Sequence, residues 1–172
     1  VKEGEGFARA ERIGTPLGEA ALAWLAKAQP TVSAGLSARQ QTLRLPPARV
    51  RLGPRLALPA WLSRRLVDDD ATLTVVAVGP AMLIGVPCDL TVELGRRLQE
   101  HAPSGAVPLI VGFADDYIGY CLPPALYATA QYEALMAFNG PDTGMLIVES
   151  LKRMMDEIDS TQHQAHSSKN GP

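Results

Sequence analysis

Two stretches of this sequence place acidic and phenolic side chains directly after apolar runs. The first run, residues 81–86, is followed within three residues by Asp89, and the second, residues 107–113, is followed by a segment, 115–120, with two aspartates and two tyrosines. In an open α/β sheet, ligands bind where the strands end. Carboxylates and phenols at such a place can coordinate a metal, transfer a proton or orient a substrate. The spacing therefore predicts a polar site at the ends of two strands.

The position of Asp89 alone leaves three interpretations open. A carboxylate just after a buried strand can be a metal ligand, a general base, or the cap of the helix that begins within two residues. Around it, the candidate site residues are acids and phenols: Asp115, Asp116, Tyr117, Tyr120, Tyr132 and Glu133. A tyrosine pair more often packs than reacts. No serine or cysteine stands beside a base, and no phosphate-binding loop or HExxH motif is present, so acid and phenol chemistry is what the residues indicate.

Two other groups have both a functional and a structural interpretation. Cys88 and Cys121 flank the predicted site; a disulfide and a pair of buried thiols both fit, and buried thiols are favoured. The run Asp68-Asp69-Asp70 lacks the alternating ligands and the glycine of a calcium loop, so a solvated turn is favoured there.

Composition narrows the classes of partner. The 172 residues are 47% hydrophobic and 20% charged, the balance of one globular domain or a piece of one. The net charge of −2 argues against a nucleic-acid partner, because no basic face is implied. Arginines between positions 39 and 55 alternate with apolar residues, which is typical of the solvent face of strands rather than of a phosphate site. No apolar run reaches the ~20 residues that span a bilayer, so no transmembrane segment is predicted.

The first half of the chain predicts a helix followed by half-exposed strands. Thr15 as cap and Pro16 at the first helical position begin a helix that ends at Gln29. Residues 36–45 and 50–58 alternate between polar and apolar side chains, which predicts antiparallel or edge strands.

The second half predicts the elements that position the site. Residues 72–78 and 81–86 form a hairpin across a Gly-Pro turn. A helix beginning at Thr91, with an apolar face that includes Val92, and a strand over 108–113 complete a βαβ-like unit. The predicted fold class is therefore mixed α/β (α+β), a mixed β-sheet flanked by helices.

The end of the chain predicts one more helix and a tail. Residues 143–158 carry apolar side chains at helical spacing. The polar segment 159–172 is predicted to be a disordered tail, in which His163 and His166 face solvent rather than a metal.

At the predicted site the sequence resembles the neutral/alkaline non-lysosomal ceramidase family. Residues 85–97, with Pro-Cys-Asp-Leu-Thr followed by Gly-Arg-Arg, resemble that family's Pro-Gly-Glu-x-Thr... Gly-Arg-Arg segment. Residues 112–120 resemble its Ala-Asn-x-Tyr-x-x-Tyr segment, and residues 131–133 with the later Gly140-Pro141 resemble its Gln-x-Tyr-Glu... Gly-Pro stretch. The similarity covers about residues 70–155.

The resemblance implies part of a larger α/β hydrolase-type domain that cleaves lipid amides, N-acyl-sphingosine or a related lipid, with a zinc-activated water. In that family two histidines, a glutamate and a tyrosine bind the zinc ion; the matching residues here are Asp89 for the glutamate and Tyr120 for the tyrosine. Tyr132 matches a tyrosine that orients or polarises the amide. The resemblance also implies a secreted or periplasmic protein, peripheral contact with a membrane, and the remainder of the catalytic domain as a partner.

The sequence departs from the family pattern at the implied zinc site. Asp89 is one methylene shorter than glutamate, and the two histidine ligands have no counterpart, since His101 matches neither position. Residues 1–158 are therefore interpreted as the C-terminal portion of a ceramidase-like catalytic domain that needs upstream ligands for zinc. The alternative is a non-catalytic relative, or an α/β binding module in which Asp89 only caps a helix.

Overall fold

The computed structural model of the chain describes residues 6–29, 35–53, 56–129 and 131–169, and the side chains of 162–169 lie outside this description. The chain divides into two compact units, Val1–Ser33 and Ala34–Pro172. The helices and strands in chain order are α1 Phe7–Leu25, β1 Leu36–Arg44, α2 Ala60–Leu66, β2 Asp70–Val78, β3 Ala81–Gly85, β4 Asp89–Leu90, α3 Val92–His101, β5 Val107–Val111, β6 Tyr120–Cys121, α4 Pro124–Tyr127, α5 Tyr132–Leu135 and α6 Thr143–Lys169.

The first unit contains α1, which begins earlier than the sequence predicted. The helix starts at Phe7 after Gly6, so Pro16 lies inside it instead of at its first position. Proline removes one hydrogen bond and normally disfavours a helix interior. The helix nevertheless continues across Pro16 to Leu25. No residue of α1 is buried.

The second unit is built on a mixed four-stranded sheet in the order β1-β2-β3-β5. β1 and β2 pair antiparallel, as do β2 and β3, whereas β3 and β5 pair parallel. The predictions of an edge strand at 36–45 and of the 72–86 hairpin are therefore confirmed. Along β2, alternate residues are buried, which is the pattern of a sheet with one covered face.

The parallel pair of β3 and β5 is joined by α3, which confirms the predicted βαβ unit. Leu94 and Leu98, four residues apart, are fully buried and fix the face of the helix that meets the sheet. Val92 is 73% exposed. Its assignment to the apolar face was wrong, because two residues rotate a helix by about 200° and place Val92 opposite Leu94.

The core lies between the sheet and α6. Ile147, Leu151 and Met155 of this helix are fully buried, as are Val75 and Ile84 of the sheet, within one apolar cluster. The predicted end of the helix at residue 158 was wrong, since α6 continues to Lys169. Hydroxyls of Ser160 and Thr161 bond back to carbonyls four residues earlier, so these polar residues remain within the helix instead of ending it. Residues 170–172 of the predicted tail lie outside the described part of the chain.

The segment between β1 and α2 forms one isolated bridge, Arg51 with Ala57, instead of the predicted strands over 50–58. Side chains hold the segment in place. The Asn139 amide donates to the carbonyls of Pro46 and Asp68, at 3.0 and 3.3 Å. The Asp69 carboxylate accepts from the amide of Ala48 at 3.0 Å, so one acid of the run 68–70 has a structural partner.

Candidate functional site

The candidate site lies on a second, two-stranded parallel sheet formed by β4 and β6. In this sheet Asp89 is the direct partner of Tyr120. The amide of Asp89 donates to the carbonyl of Gly119 at 2.9 Å, and the amide of Ile118 donates to the carbonyl of Pro87 at 2.8 Å. Because β4 follows β3 and β6 follows β5, two neighbouring parallel strands continue in the same direction and bring the acid and the phenol together.

The Tyr120 phenol is held as a neutral donor. Partial burial, the hydrogen bond to the Asp89 side chain and the negative charge of Asp89 all raise the pKa of Tyr120 above its ordinary value of 10.0. At neutral pH the phenol therefore keeps its proton beside the Asp89 carboxylate. This arrangement joins the two residues that the family resemblance matched to metal ligands.

Tyr132 lies against Tyr120. The two ring centroids are 5.8 Å apart with an interplanar angle of 81°, an edge-to-face contact. Tyr132 is 62% exposed, so its ring is held on one side and open to solvent on the other. The three residues singled out from the sequence, Asp89, Tyr120 and Tyr132, are thus adjacent in the fold.

Gly119 makes this arrangement sterically feasible. Its φ is +85°, and a side-chain Cβ at this position would collide with the carbonyl oxygen of Met136 and with the ring of Phe138. The same carbonyl accepts from the amide of Tyr120 at 3.1 Å, and Gly119 bridges to Ala137. The close approach fixes β6 against the chain that follows α5, and therefore Tyr120 against Tyr132. The sequence pattern did not indicate a role for Gly119, although a glycine directly before a candidate ligand is a signal that could have identified it.

The other acids and phenols of the region have separate partners. Asp115 accepts from the Thr74 hydroxyl at 2.6 Å, and Asp116 accepts from the Thr72 amide at 2.8 Å. Both bonds tie the loop after β5 to β2, and Asp115 adopts a positive φ of 64° there. Tyr117 stacks on the Phe113 ring with 5.6 Å between centroids. These residues shape the loop and are not joined to Asp89 by any of these contacts.

Cys88 and Cys121 are free, buried thiols, in agreement with the favoured interpretation. They flank Asp89 and Tyr120 in the sequence, and both side chains belong to the main apolar core. The hydrogen bond to Cys121, followed by burial and by the charge of Asp89, raises the pKa of Cys88 far above its ordinary range. Cys88 is therefore a protonated packing residue and not a thiolate ligand or nucleophile.

The interpretation of Asp89 as a helix cap is wrong. Asp89 belongs to β4, and the N-cap of α3 is Thr91, which makes no side-chain capping bond. The carboxylate of Asp89 meets the Tyr120 phenol instead. Capping of α3 therefore does not explain why residue 89 is an acid.

The described residues do not by themselves fit a catalytic zinc ion. Such a site needs about three protein ligands, usually including histidines. Among residues 6–29, 35–53, 56–129 and 131–161, no group of three or more His, Cys, Asp or Glu side chains could hold a metal ion. His101 lies 2.9 Å from Asp156 and links α3 to α6. Asp89 and Tyr120 therefore supply an incomplete set of donors.

The second unit is a mixed α/β fold in which α3 and α6 pack against the mixed sheet, which confirms the predicted fold class. No protein-family model matches the chain. Two curated relatives do: the neutral ceramidase of Drosophila melanogaster is 28% identical over 108 residues, 58% of this chain and 15% of its own length. The neutral ceramidase of Drosophila pseudoobscura pseudoobscura is 25% identical over 108 residues, with the same coverage.

Two solved structures of ceramidases are similar to this chain in fold. The crystal structure of neutral ceramidase from Pseudomonas aeruginosa matches 90% of this chain and 34% of its own, with 18% identity and a TM-score of 0.67. A structure described as ceramidase complexed with C2 matches 76% of this chain and 31% of its own, with 15% identity and a TM-score of 0.59. Sequence and fold together confirm the predicted resemblance: a region of this chain is similar to neutral ceramidases.

The match covers only part of the length of each relative. The chain spans 15% of the length of the curated relatives and about a third of the matched structures. A match of this extent establishes the fold of the matched region. In the part of the chain that the structure describes, no helix is long and apolar enough to cross a membrane.

Proposed function

We propose that this chain forms part of a lipid amide hydrolase of the neutral ceramidase type, and that Asp89, Tyr120 and Tyr132 are its contribution to the active site. The observation that carries the proposal is the direct pairing of Asp89 with Tyr120 across β4 and β6. Two sequence segments that match separate motifs of ceramidases meet in one place, with Tyr132 in edge contact. The similarity to neutral ceramidases supports the lipid amide as substrate class.

The role proposed for Tyr132 follows from its exposure and from the chemistry of amides. Attack of water on an amide carbonyl places negative charge on the carbonyl oxygen, and a hydrogen-bond donor at that oxygen stabilises the transition state. The Tyr132 ring is fixed on one side by Tyr120 and is 62% exposed, so its hydroxyl is accessible to a substrate. Tyr132 would thus orient and polarise the amide.

Asp89 and Tyr120 are proposed as two oxygen ligands of a zinc ion that needs two histidines from outside the described residues. A zinc ion in such a site supplies Lewis acidity and an activated water. Because two oxygens do not make a zinc site, the proposal requires completion by further polypeptide. In the chain itself, the Asp89 carboxylate lies beside the Tyr120 phenol and, with partial burial, raises the pKa of that phenol.

One observation favours a second function, that of a non-catalytic ceramidase-like relative. No described cluster of acids, histidines and cysteines can bind a metal ion, and the carboxylate of Asp89 already has a partner in Tyr120. In that case the acid and the phenol would be a structural pair that stabilises the small sheet.

The two proposed functions predict different zinc contents of the protein and different rates of substrate turnover. The protein, and any longer polypeptide that carries this chain, is purified with zinc; bound metal is measured by atomic absorption and activity by release of fatty acid from an N-acyl-sphingosine. The proposal expects zinc and turnover in the polypeptide that carries the histidines, and loss of both in Asp89→Ala and Tyr120→Phe. Unchanged zinc content in both variants would exclude the two residues as ligands. A folded protein without zinc or turnover in either polypeptide would establish the non-catalytic relative.

A further inference from the structure

Among the described residues, α3 and α6 pack against one face of the four-stranded sheet. Leu73, Val75 and Ile84 point to this covered face and belong to the apolar core. Alternate residues of the strands point to the opposite face. The strand register aligns two rows of apolar side chains there: Leu36, Val78, Ala81 and Val107 in one row, and Ala38, Val76, Leu83 and Leu109 in the next. We call these two rows the open patch.

The side chains of the open patch are accessible to solvent. Leu36 is 72% exposed, Val107 52% and Leu109 48%. Single exposed apolar side chains are common on protein surfaces, but a contiguous group of them marks an interaction site. The open patch therefore has the composition of a surface that packs against another apolar surface.

The strand β1 carries its charge on the covered side of the sheet. Arg39 pairs in register with the buried Val75, and its guanidinium contacts the Glu157 carboxylate of α6 at 2.7 Å. Leu36 and Ala38 lie on the opposite face. A strand whose free face meets water usually has the reverse order, with polar side chains on the free face. This half of β1 therefore indicates that its free face packs against protein.

The loop after β5 lies over the polar end of the same face. The next row of the sheet contains Gln40, Thr74, Gly85 and Val111. The Thr74 hydroxyl donates to the Asp115 carboxylate at 2.6 Å, and a Cβ added to Gly85 would lie 3.1 Å from the Cβ of Ala114. The loop therefore covers the row that offers hydrogen bonds, and the open patch begins one row further on.

The free edge of β5 is poorly suited to an added strand. The Val107 amide donates to the Pro80 carbonyl beside β3. In a parallel ladder alternate residues bond to the same neighbour, so Pro108 directs its backbone to the free edge of the sheet. Proline has no N–H to donate to a further strand. A partner is therefore expected on the face of the sheet rather than along its edge.

The size of the open patch distinguishes a second copy from a linked segment. Four strands about 4.8 Å apart and two rows about 6.8 Å apart give a footprint on the order of 250 Å². A stable interface between separate proteins buries about 800 Å² on each partner. Two copies joined by this patch alone would fall well below that area. A covalently linked segment loses less translational and rotational freedom when it docks, so a smaller surface is sufficient to hold it.

We propose that the open patch is the docking surface for an uncharged, apolar face of further polypeptide covalently linked to these 172 residues. The inference rests on the proposed function in one respect, because that function requires linked polypeptide to supply two histidines. Docking on this face would cover the sheet on the side opposite α6, so that both faces of β3 and β5 are buried, as is usual for parallel strands.

The test compares the isolated chain with the longer polypeptide, which is identified by immunoblotting an extract of the source cells with an antibody against this chain. Leu83→Cys places a thiol in the middle of the open patch, and maleimide labelling of that residue is followed by mass spectrometry of its peptide. In the isolated chain it should react at a rate comparable to Glu100→Cys, an exposed position of α3 on the other side of the sheet. In the longer polypeptide it should react at least about tenfold more slowly, because the reagent then needs local opening. Glu100→Cys should react alike in both.

A second variant gives a measurement that does not depend on labelling. Leu83→Glu leaves the new charge in water in the isolated chain, so the thermal midpoint should change little. In the longer polypeptide the same charge would be buried, and the thermal midpoint should fall clearly. Glu100→Gln is the control and should have little effect in either polypeptide.

Three results would overturn the proposal. The first is an extract in which the antibody detects only a band of the size of the isolated chain. The second is slow labelling of Leu83→Cys in the isolated chain; protection that disappears on dilution would then assign the patch to a second copy. The third is equal labelling of Leu83→Cys in both polypeptides. None of these readings depends on zinc or turnover, so a longer polypeptide that protects residue 83 but lacks both supports the docking surface while the proposed hydrolase fails.

Discussion

Asp89 and Tyr120 are direct partners across the two-stranded parallel sheet of β4 and β6, and partial burial together with the Asp89 carboxylate raises the pKa of the Tyr120 phenol. The pairing has a simple topological origin. β3 and β5 are parallel neighbours, so the chain leaves both strands at the same edge of the sheet. Asp89 comes sooner after β3 than Tyr120 does after β5, yet both residues lie at that edge. The contact therefore depends on the βαβ unit, and its strength can be measured through the titration of Tyr120.

The first prediction concerns that titration. Asp89→Asn removes a negative charge and a charged acceptor, so the pKa of Tyr120 should fall towards its ordinary value of 10.0. The measurement is an NMR pH titration of the Tyr120 ring carbons. Glu100→Gln, an exposed acid on α3, is the control and should leave the Tyr120 pKa unchanged. An unaltered Tyr120 titration in Asp89→Asn would mean that the two side chains do not interact in solution.

The second prediction is the effect of the same pair on alkaline stability. Because the folded-state pKa of Tyr120 is raised, its contribution to stability is complete below the pKa of the unfolded phenol and is lost as pH rises through the folded value. The free energy of unfolding should therefore decrease above about pH 10, and Asp89→Asn should make this decrease less steep. Urea unfolding at a series of alkaline pH values, with Tyr120→Phe as a reference that lacks the group, measures the slope.

The third prediction isolates the close approach at Gly119. Gly119→Ala forces a side chain into a backbone with φ of +85° and against the Met136 carbonyl, so it should cost about 3 kcal/mol of unfolding free energy. Gly140→Ala is the matched control: its φ is +92°, but no atom lies within 4 Å of the added Cβ. That substitution should cost only about 1 kcal/mol, the strain of the backbone alone. Equal losses in the two variants would show that the contact with Met136 is not tight.

The sequence predicted those features of the fold that depend on local periodicity. The alternation in β2, the turn before β3 and the spacing of Leu94 and Leu98 each record which face of an element meets the core. The strand ends predicted a polar site in this region, and the family resemblance singled out Asp89 and Tyr120, which the fold pairs directly.

Contacts between distant parts of the chain could not be predicted in this way. Asp115 and Asp116 bind Thr74 and Thr72, more than 40 residues earlier, and nothing in their own segment indicates a partner in β2. The same holds for the guanidinium of Arg51, whose stacking on Tyr127 joins residues 76 apart. Alternation placed this arginine on a solvent face because a strand pattern describes which side a residue points to, and not what covers that side.

The fourth prediction concerns the buried thiols. Cys88 is fully buried and its pKa is raised far above the ordinary thiol range by Cys121, by burial and by the charge of Asp89. Iodoacetamide must reach the sulfur atom, and Cys88 and Cys121 are 0% and 1% exposed, so neither should be alkylated in the native chain at pH 8, whereas both should react in urea. Glu100→Cys, which places a thiol on the exposed side of α3, is the control and should react at once. Rapid alkylation of Cys88 in the native protein would contradict the buried arrangement.

The fifth prediction separates packing from chemistry at Tyr132. Tyr132→Phe keeps the ring that meets Tyr120 edge to face, so the free energy of unfolding should change by less than about 0.5 kcal/mol. Tyr132→Ala removes the ring contact and should cost about 1 kcal/mol. If the hydroxyl polarises the amide, Tyr132→Phe should lower kcat of N-acyl-sphingosine hydrolysis about a hundredfold in the zinc-loaded polypeptide, although stability is retained. Full activity in Tyr132→Phe would show that Tyr132 contributes only packing, because the hydroxyl is the one group that the substitution removes.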